Sequence, residues 1–183
     1  MGSRERQVKY DRSVLGGEGS DEIEFFKYLV SLYSDDLTNP KLCNGHGGNP
    51  KQATKVALRD LPQLGAYQHR MMVFDGDKAT DVVQAGIGEC EKEPEIEYLV
   101  SDIRFEVEMG RILGCSDKIM RDLQSSDSAV VKRVFAKVCP PCADRYGKLL
   151  PKEVLDEKRK ESVWLDKIIR FIENRGVEED DVR

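Results

Sequence analysis

The chain has 183 residues, 39% of them hydrophobic and 34% charged, which suits one globular domain with a short helical appendage. No apolar run approaches the ~18 residues needed to cross a bilayer, and the start lacks the pattern of a signal peptide. Five cysteines without a secretion signal are typical of reduced thiols, so a cytoplasmic protein is expected. The formal net charge of −5 is atypical of proteins that coat nucleic acid with a basic surface.

The first half of the sequence alternates strand and helix patterns, which predicts a parallel α/β sheet. Asp21 is predicted to cap the helix after the first strand, with acidic residues in its first turn. Asn49 is predicted to cap the next helix, with Pro50 at the first helical position. The predicted strands lie at residues 13–15, 41–43 and 71–74, and the last of them is a continuous apolar run typical of a buried parallel strand.

The second half is predicted to be mainly helical. Apolar residues recur at helical spacing at Ile96, Leu99, Val100, Ile103 and Val107. Further helices are expected near residues 117–124, 128–138 and 161–175. The prediction is therefore an α/β fold with a sheet of about four strands flanked by helices. Residues 1–115 would form the α/β domain and residues 116–183 a helical extension packed on it, or the whole chain one domain.

Acidic residues follow two of the predicted strands. Asp75 and Asp77 are two residues apart just past a buried strand, so their side chains can point the same way and converge on one hard cation. Glu18 lies between glycines in the turn after the first strand, at the same sheet edge if the two strands are parallel. The alternative is that both segments are ordinary solvated turns, which short motifs of this kind often are.

These segments resemble a known family. Residues 17–22, Gly-Glu-Gly-Ser-Asp-Glu, resemble the glutamate motif of TOPRIM domains, and residues 72–78, Met-Val-Phe-Asp-Gly-Asp-Lys, resemble their Asp-x-Asp motif. The pattern is similar to small RloB-like and OLD-nuclease-like TOPRIM proteins found in bacterial antiviral defence. A glycine-rich segment at 45–48 and Ile-Glu-Tyr-Leu at 96–99 match further features of that group. The resemblance covers roughly residues 10 to 110.

The resemblance implies a TOPRIM-like (Rossmann-like) sheet and metal-dependent hydrolysis of phosphodiesters in DNA or RNA. The catalytic residues would be Glu18, Asp75, Asp77 and Lys78. The ligands of Mg²⁺ or Mn²⁺ would be Glu18, Glu22, Asp75, Asp77 and Glu97. An ATPase partner and a homo-oligomer would fit the same family. The second reading is a non-catalytic TOPRIM module that binds nucleic acid or a partner protein.

The roles of several residues have open alternatives. Lys78 is expected to stabilise phosphoryl charge, or else to be a solvent-exposed loop lysine. Glu97 is favoured as the third acidic element, and Glu106 is the alternative; either can also be a helix-surface carboxylate. His46 lies in a glycine-rich loop before a helix, where backbone amides can receive a phosphate oxygen, although a plain loop explains the same residues.

One Cys-x-x-Cys pair occurs, at Cys139 and Cys142. A single pair lacks the second pair of ligands that makes a zinc site convincing. Structural thiols are therefore the favoured interpretation, with zinc as the alternative.

Overall fold

The computed structural model describes residues 13–35, 40–46, 49–59, 69–77, 80–92, 96–139 and 143–173. Within these ranges the elements in chain order are β1 (Ser13–Gly17), α1 (Ser20–Tyr33), β2 (Lys41–Asn44), α2 (Pro50–Arg59), β3 (His69–Phe74), α3 (Thr80–Cys90), β4 (Ile96–Val100), α4 (Phe105–Ile112), α5 (Asp117–Leu123), α6 (Ser128–Val138), α7 (Ala143–Leu149), α8 (Lys152–Lys158) and α9 (Val163–Ile172).

The strands form one parallel sheet in the order β2-β1-β3-β4. The central strands β1 and β3 pair from Ser13 opposite His69 to Gly16 opposite Met72. Every residue of β1 is buried, as expected of a strand covered on both faces. The predicted fold class, an α/β fold with a four-stranded parallel sheet flanked by helices, is confirmed.

The fourth strand corrects one part of the prediction. Residues 96–100 form β4 and not the start of a helix, and they pair with β3 from Ile96 opposite Arg70 to Val100 opposite Phe74. The apolar spacing 96, 99, 100 fits a helix, but the segment is short and pairs with the free edge of β3. A short apolar run does not distinguish the two structures by periodicity alone. The helical pattern does hold further on, where α4 begins at Phe105.

The two faces of the sheet bury different cores. Leu15, Met71 and Val73 point into a large cluster formed with helices of the second half. Val14 and Met72 belong to a smaller cluster on the other face with residues of α2 and α3, as expected because neighbouring side chains of a strand alternate. The large cluster contains residues from both sides of position 115, so the helical part packs directly on the sheet. A division into two domains there stays a prediction.

An aromatic group holds α1, α4 and α9 together in the large core. The ring of Phe25 lies 5.9 Å from that of Phe105, 5.2 Å from Tyr146 and 6.4 Å from Trp164, measured between centroids. All four residues are at most 6% exposed. This packing fixes the starts of α1 and α4 relative to each other, and both starts border the acidic residues discussed below.

The predicted N-cap is wrong for α1 and confirmed for α2. The N-cap of α1 is Gly19, two residues before the predicted Asp21. The cap of α2 is confirmed, because Asn49 Oδ1 accepts a hydrogen bond from Gln52 N at 2.9 Å and α2 begins at Pro50. The helices expected near 117–124, 128–138 and 161–175 are α5, α6 and α9, whereas α7 and α8 were not foreseen.

Within the described ranges, no disulfide bond joins Cys43, Cys90, Cys115 and Cys139. Cys142 lies outside those ranges, so the zinc alternative for the Cys139–Cys142 pair stays a prediction. None of the helices in the described part of the chain combines the length and apolar character that crossing a membrane requires.

Candidate functional site

Glu18 and Asp75 are in direct contact at the carboxyl edge of the sheet. Each follows its strand immediately, Glu18 after β1 and Asp75 after β3, and these two strands are parallel neighbours. The backbone N–H of Asp75 donates to Glu18 Oε1 at 2.9 Å. The structure thus brings together Glu18 and Asp75, two of the three acidic residues that the sequence placed at one edge, in the crevice where open α/β sheets bind ligands.

Glu22 joins this edge from the first turn of α1. Its side chain is 5% exposed, and Oε2 accepts a hydrogen bond from Gly19 N across the start of the helix. Oε1 is buried and has no hydrogen-bond partner. Burial raises the pKa of Glu22 well above its ordinary value, the charge of Asp75 raises it further, and the bond from Gly19 opposes the rise. A buried carboxylate oxygen without a partner is costly, which points to a ligand at this position.

Asp75 is held by the start of α4 as well as by its own strand. Its Oδ1 accepts a hydrogen bond from Phe105 N at 2.8 Å. Burial raises the pKa of Asp75 from its ordinary value of 3.8 to about 7, and the charges of Glu106 and Asp77 add to the rise. The Phe105 amide and Arg104 act in the opposite direction without cancelling it. Protonated and ionised Asp75 are therefore both accessible near neutral pH.

Asp77 has a different environment from Asp75. Its Oδ2 lies 2.6 Å from Nη2 of Arg104, whose side chain is 14% exposed. Between the two aspartates, a Cβ on Gly76 would collide with the backbone oxygen of Ser101. Glycine is thus required because the loop after β3 passes close to the backbone after β4. Arg104 had no signal in the sequence, because only the pairing of β3 with β4 brings it to Asp77.

Glu106, and not Glu97, completes the acidic group. Glu106 lies in the first turn of α4 and lines the same pocket, where burial raises its pKa with further contributions from Asp21 and Asp77. Glu97 is an exposed residue of β4 opposite Met71, four residues before Asp75 along the sheet. At about 3.3 Å per residue it is roughly 13 Å from the carboxyl edge. The preference for Glu97 over Glu106 is therefore corrected.

Of this acidic group, all members except Asp77 border one pocket of about 480 Å³. Its lining comprises Glu18, Gly19, Ser20, Asp21, Glu22, Asn44, His46, Asp75, Phe105, Glu106 and Lys132. Lys132 comes from α6 and places a positive charge beside the carboxylates, although nothing in the sequence connected it with them. Lys78 lies outside the described residues, so its predicted role is untested.

His46 contributes to the pocket through the loop after β2. It is exposed, has a φ of 58°, and donates its backbone N–H to Asn44 Oδ1 at 2.7 Å. Gly47 and Gly48 lie outside the described residues, so a phosphate-binding loop stays a prediction there.

The chemistry of the donor set fits a hard divalent cation. Among the described residues, no three His, Cys, Asp or Glu side chains are already arranged around one point that could hold a metal ion. Mg²⁺ does not require such a cage, since it is commonly bound by one or two carboxylates together with water and substrate phosphates. The partnerless Oε1 of Glu22 and the raised pKa of Asp75 mark a group of oxygens that a cation would stabilise.

Comparison with known proteins adds little to this description. No protein-family model matches the chain, and no curated protein matches it. It is similar to one solved structure, the C-terminal region of the Burkholderia pseudomallei OLD protein, at 14% sequence identity and a TM-score of 0.38. The match covers 90% of this chain and 88% of that chain. A likeness of this size carries no argument about function, and the fold class rests on the sheet itself.

Proposed function

We propose that this protein hydrolyses phosphodiester bonds of nucleic acid with Mg²⁺ or Mn²⁺ bound at the acidic pocket. The observation that carries the proposal is the accumulation of carboxylates at the carboxyl edge of β1 and β3, with one buried oxygen of Glu22 lacking a partner. Mutually repelling acids of this kind are expected where a cation binds. The TOPRIM-like motifs at residues 17–22 and 72–78 supply the reaction class and the nucleic-acid substrate.

The residues that would hold the cation are Glu18, Glu22 and Asp75, with Asp77 and Glu106 beside them. Oxygen ligands alone favour Mg²⁺ or Mn²⁺ over zinc. A cation bound there would supply charge stabilisation at the phosphoryl oxygens and a lowered pKa for a coordinated water.

Other groups of the pocket have roles that their environments suggest. Burial raises the pKa of Glu106. A carboxyl group with a raised pKa is suited to accept and return a proton during hydrolysis. Lys132 lines the pocket and offers a positive charge to the phosphate oxygens.

A second function, a non-catalytic module that binds nucleic acid or a partner protein such as an ATPase, has its own supporting observation. Asp77 is bound to Arg104 at 2.6 Å, and the described residues contain no ready cluster of three metal ligands. In this alternative the acids and Arg104 serve structure. A cytoplasmic location, membership of an RloB-like or OLD-like antiviral defence system and a homo-oligomeric state belong to the proposal in either form.

The test is incubation of the purified chain with single- and double-stranded DNA and RNA in Mg²⁺, Mn²⁺ or EDTA. Cleavage should require the divalent ion. Asp75→Asn and Glu18→Gln should each lower the rate by roughly 10² to 10⁴, because each removes charge from the reacting centre. Glu157→Gln, on an exposed residue of α8, is the matched control and should keep the full rate.

Metal binding is measured separately by Mn²⁺ titration, and circular dichroism checks that each variant is folded. Asp75→Asn should lose Mn²⁺ binding while remaining folded. Cleavage that survives EDTA, or full activity in Asp75→Asn, would contradict the hydrolytic mechanism. Nucleic-acid binding without cleavage under all conditions would favour the second function.

A further inference from the structure

The outward side of α6 carries a basic surface formed by Lys132, Arg133 and Lys137. All three residues are exposed, and the 11-residue helix contains no acidic residue. Its opposite side is apolar, with Val131 and Phe135 buried in the core. The chain has a net charge of −5, whereas this helix is positively charged.

Lys132 lies beside the pocket carboxylates, but none of the three α6 cations forms a close ion pair with an acidic residue in the described part of the chain. Two exposed lysines elsewhere do have such partners: Lys152 of α8 lies 3.7 Å from Asp156, and Lys160, in the turn after α8, lies 2.7 Å from Glu157. Surface pairs of that kind are common and satisfy the charge locally. The α6 surface therefore presents its positive charges to an external anion.

The α6 basic surface starts at the acidic pocket and leads away from it. Lys132 lines the pocket. Arg133 and Lys137 are four residues apart, so they lie together on one side of the helix, about a third of a turn beyond Lys132. Between these positions the helix exposes only the small residues Ala129 and Ala136, which leave room for a close approach. The three cations thus lie on one side of α6, with Lys132 at the pocket.

We propose that the α6 basic surface binds the sugar-phosphate backbone of the nucleic-acid strand whose phosphodiester enters the pocket. The inference rests on the proposed function for the choice of ligand. The carboxylates of the pocket repel a polyanion, so a strand has to be held by positive charge outside them. Contacts of Lys and Arg with phosphates are independent of sequence and release counterions, which makes them sensitive to salt.

The test compares two double variants that each remove two positive charges from exposed positions. Arg133→Gln/Lys137→Gln alters the α6 surface. Lys152→Gln/Lys160→Gln, the α8 double variant, alters the start of α8 and the turn after it and is the matched control. Binding of fluorescent 20-nucleotide DNA and RNA, single-stranded and duplex, is measured by anisotropy in EDTA over a series of salt concentrations. EDTA prevents metal-dependent cleavage, so binding is read independently of catalysis.

The α6 double variant should bind at least about tenfold more weakly at low salt, with a salt slope reduced by about 1.8 for duplex or 1.4 for single strands. The α8 double variant should match the wild type. Comparison of the four nucleic acids shows which sugar-phosphate backbone the α6 basic surface prefers to bind. Equal weakening in both variants, unchanged binding in the α6 variant, or no binding by the wild type would each overturn the proposal. If the α6 double variant still cleaves nucleic acid and binds it as tightly as the wild type, the proposed role of the α6 basic surface is wrong. The proposed nuclease function would be unaffected by that result.

Discussion

Two groups of buried carboxylates in this protein differ in what surrounds them. Glu108 and Glu89 are 4% and 8% exposed, and each lies beside a cation, Arg111 at 2.9 Å and Lys92 at 2.8 Å respectively. The hydrogen bond from Lys92 lowers the pKa of Glu89. Glu22 is similarly buried at 5% exposure, but burial and the charge of Asp75 raise its pKa.

The difference shows that burial of a carboxylate is by itself a weak indication of function. The charges that surround the carboxylate determine whether it is already neutralised within the chain. The Glu89 and Glu108 carboxylates are neutralised inside the chain, so they need nothing from outside. In the pocket, burial raises the pKa of Glu22, Asp75 and Glu106, and neighbouring acids raise each of these values further. Arg104 lowers the pKa of Asp75 and Glu106 without cancelling the rise, so a proton or a cation from solution would stabilise this arrangement. The folded chain without metal is therefore expected to be under electrostatic strain at this edge of the sheet.

The largest expected effect is on the pH dependence of stability in EDTA. Burial raises the pKa of Asp75 to about 7. A group whose pKa is raised by folding stabilises the protein fully below its unfolded pKa, and that contribution is lost as the pH rises through the folded value. From 3.8 to about 7 the difference corresponds to at most roughly 4 kcal/mol for Asp75. Thermal unfolding should therefore occur at a higher temperature at pH 5 than at pH 8.

Two additions make this measurement decisive. Asp75→Asn should make the pH profile less steep, because one group with a raised pKa is gone while Glu22 and Glu106 remain. Mg²⁺ at pH 8 should restore part of the lost stability of the wild type by binding the folded state. A wild-type profile that rises from pH 5 to pH 8 in EDTA would show that the pocket acids are not strained.

The next effect compares one carboxylate from each group. In EDTA at pH 8, Glu22→Gln should increase the free energy of unfolding, because it removes the repulsion between the Glu22 and Asp75 carboxylates while an amide oxygen can still accept from Gly19 N. Glu108→Gln should lower it by about 1 to 3 kcal/mol, since Arg111 loses an ionic partner. Urea unfolding measures both. Equal signs for the two substitutions would contradict the distinction between the groups.

The sequence predicted those members of the site whose position depends only on neighbouring elements along the chain. Glu18 and Asp75 each follow a strand directly, and parallel neighbours place such positions at one edge, so their meeting followed from the strand pattern. Glu22 was also predictable, because it lies one turn into the helix that begins beside Glu18.

The remaining members of the site depend on packing between distant segments. Glu106 reaches the pocket and Arg104 reaches Asp77 because β4 pairs with β3 and the Phe105 amide at the start of α4 bonds to Asp75. The apolar pattern at residues 96–100 predicted a helix. A continuous helix there leaves no connection between β4 and α4, and that connection carries Arg104 and places Glu106 at the start of α4. Lys132 lines the pocket because of the way α6 packs on the core. The sequence of α6 itself indicates only an amphipathic helix.

A smaller effect is expected from the loop that separates the two aspartates. Gly76→Ala should lower the free energy of unfolding by roughly 1 to 2 kcal/mol and weaken Mn²⁺ binding, because the added methyl group collides with the backbone oxygen of Ser101 and displaces Asp75. Gly88→Ala is the matched control. A Cβ at Gly88 would meet nothing within 4 Å, so alanine in that helix should be tolerated or stabilise by about 0.5 to 1 kcal/mol. Similar losses in both variants would indicate a general intolerance to glycine replacement.

The smallest effect is expected at Glu97, the residue that the sequence favoured and the structure does not bring to the pocket. Glu97→Gln should change the free energy of unfolding by no more than about 0.5 kcal/mol, as is usual for an exposed side chain. Its Mn²⁺ affinity should equal that of the wild type in calorimetric titration. Glu106→Gln should weaken Mn²⁺ binding several-fold, because it removes a negative charge whose field acts on Asp75. If Glu97→Gln weakened binding as much as Glu106→Gln, the metal would lie nearer to β4 than to the edge formed by β1 and β3, and the pocket would be the wrong site.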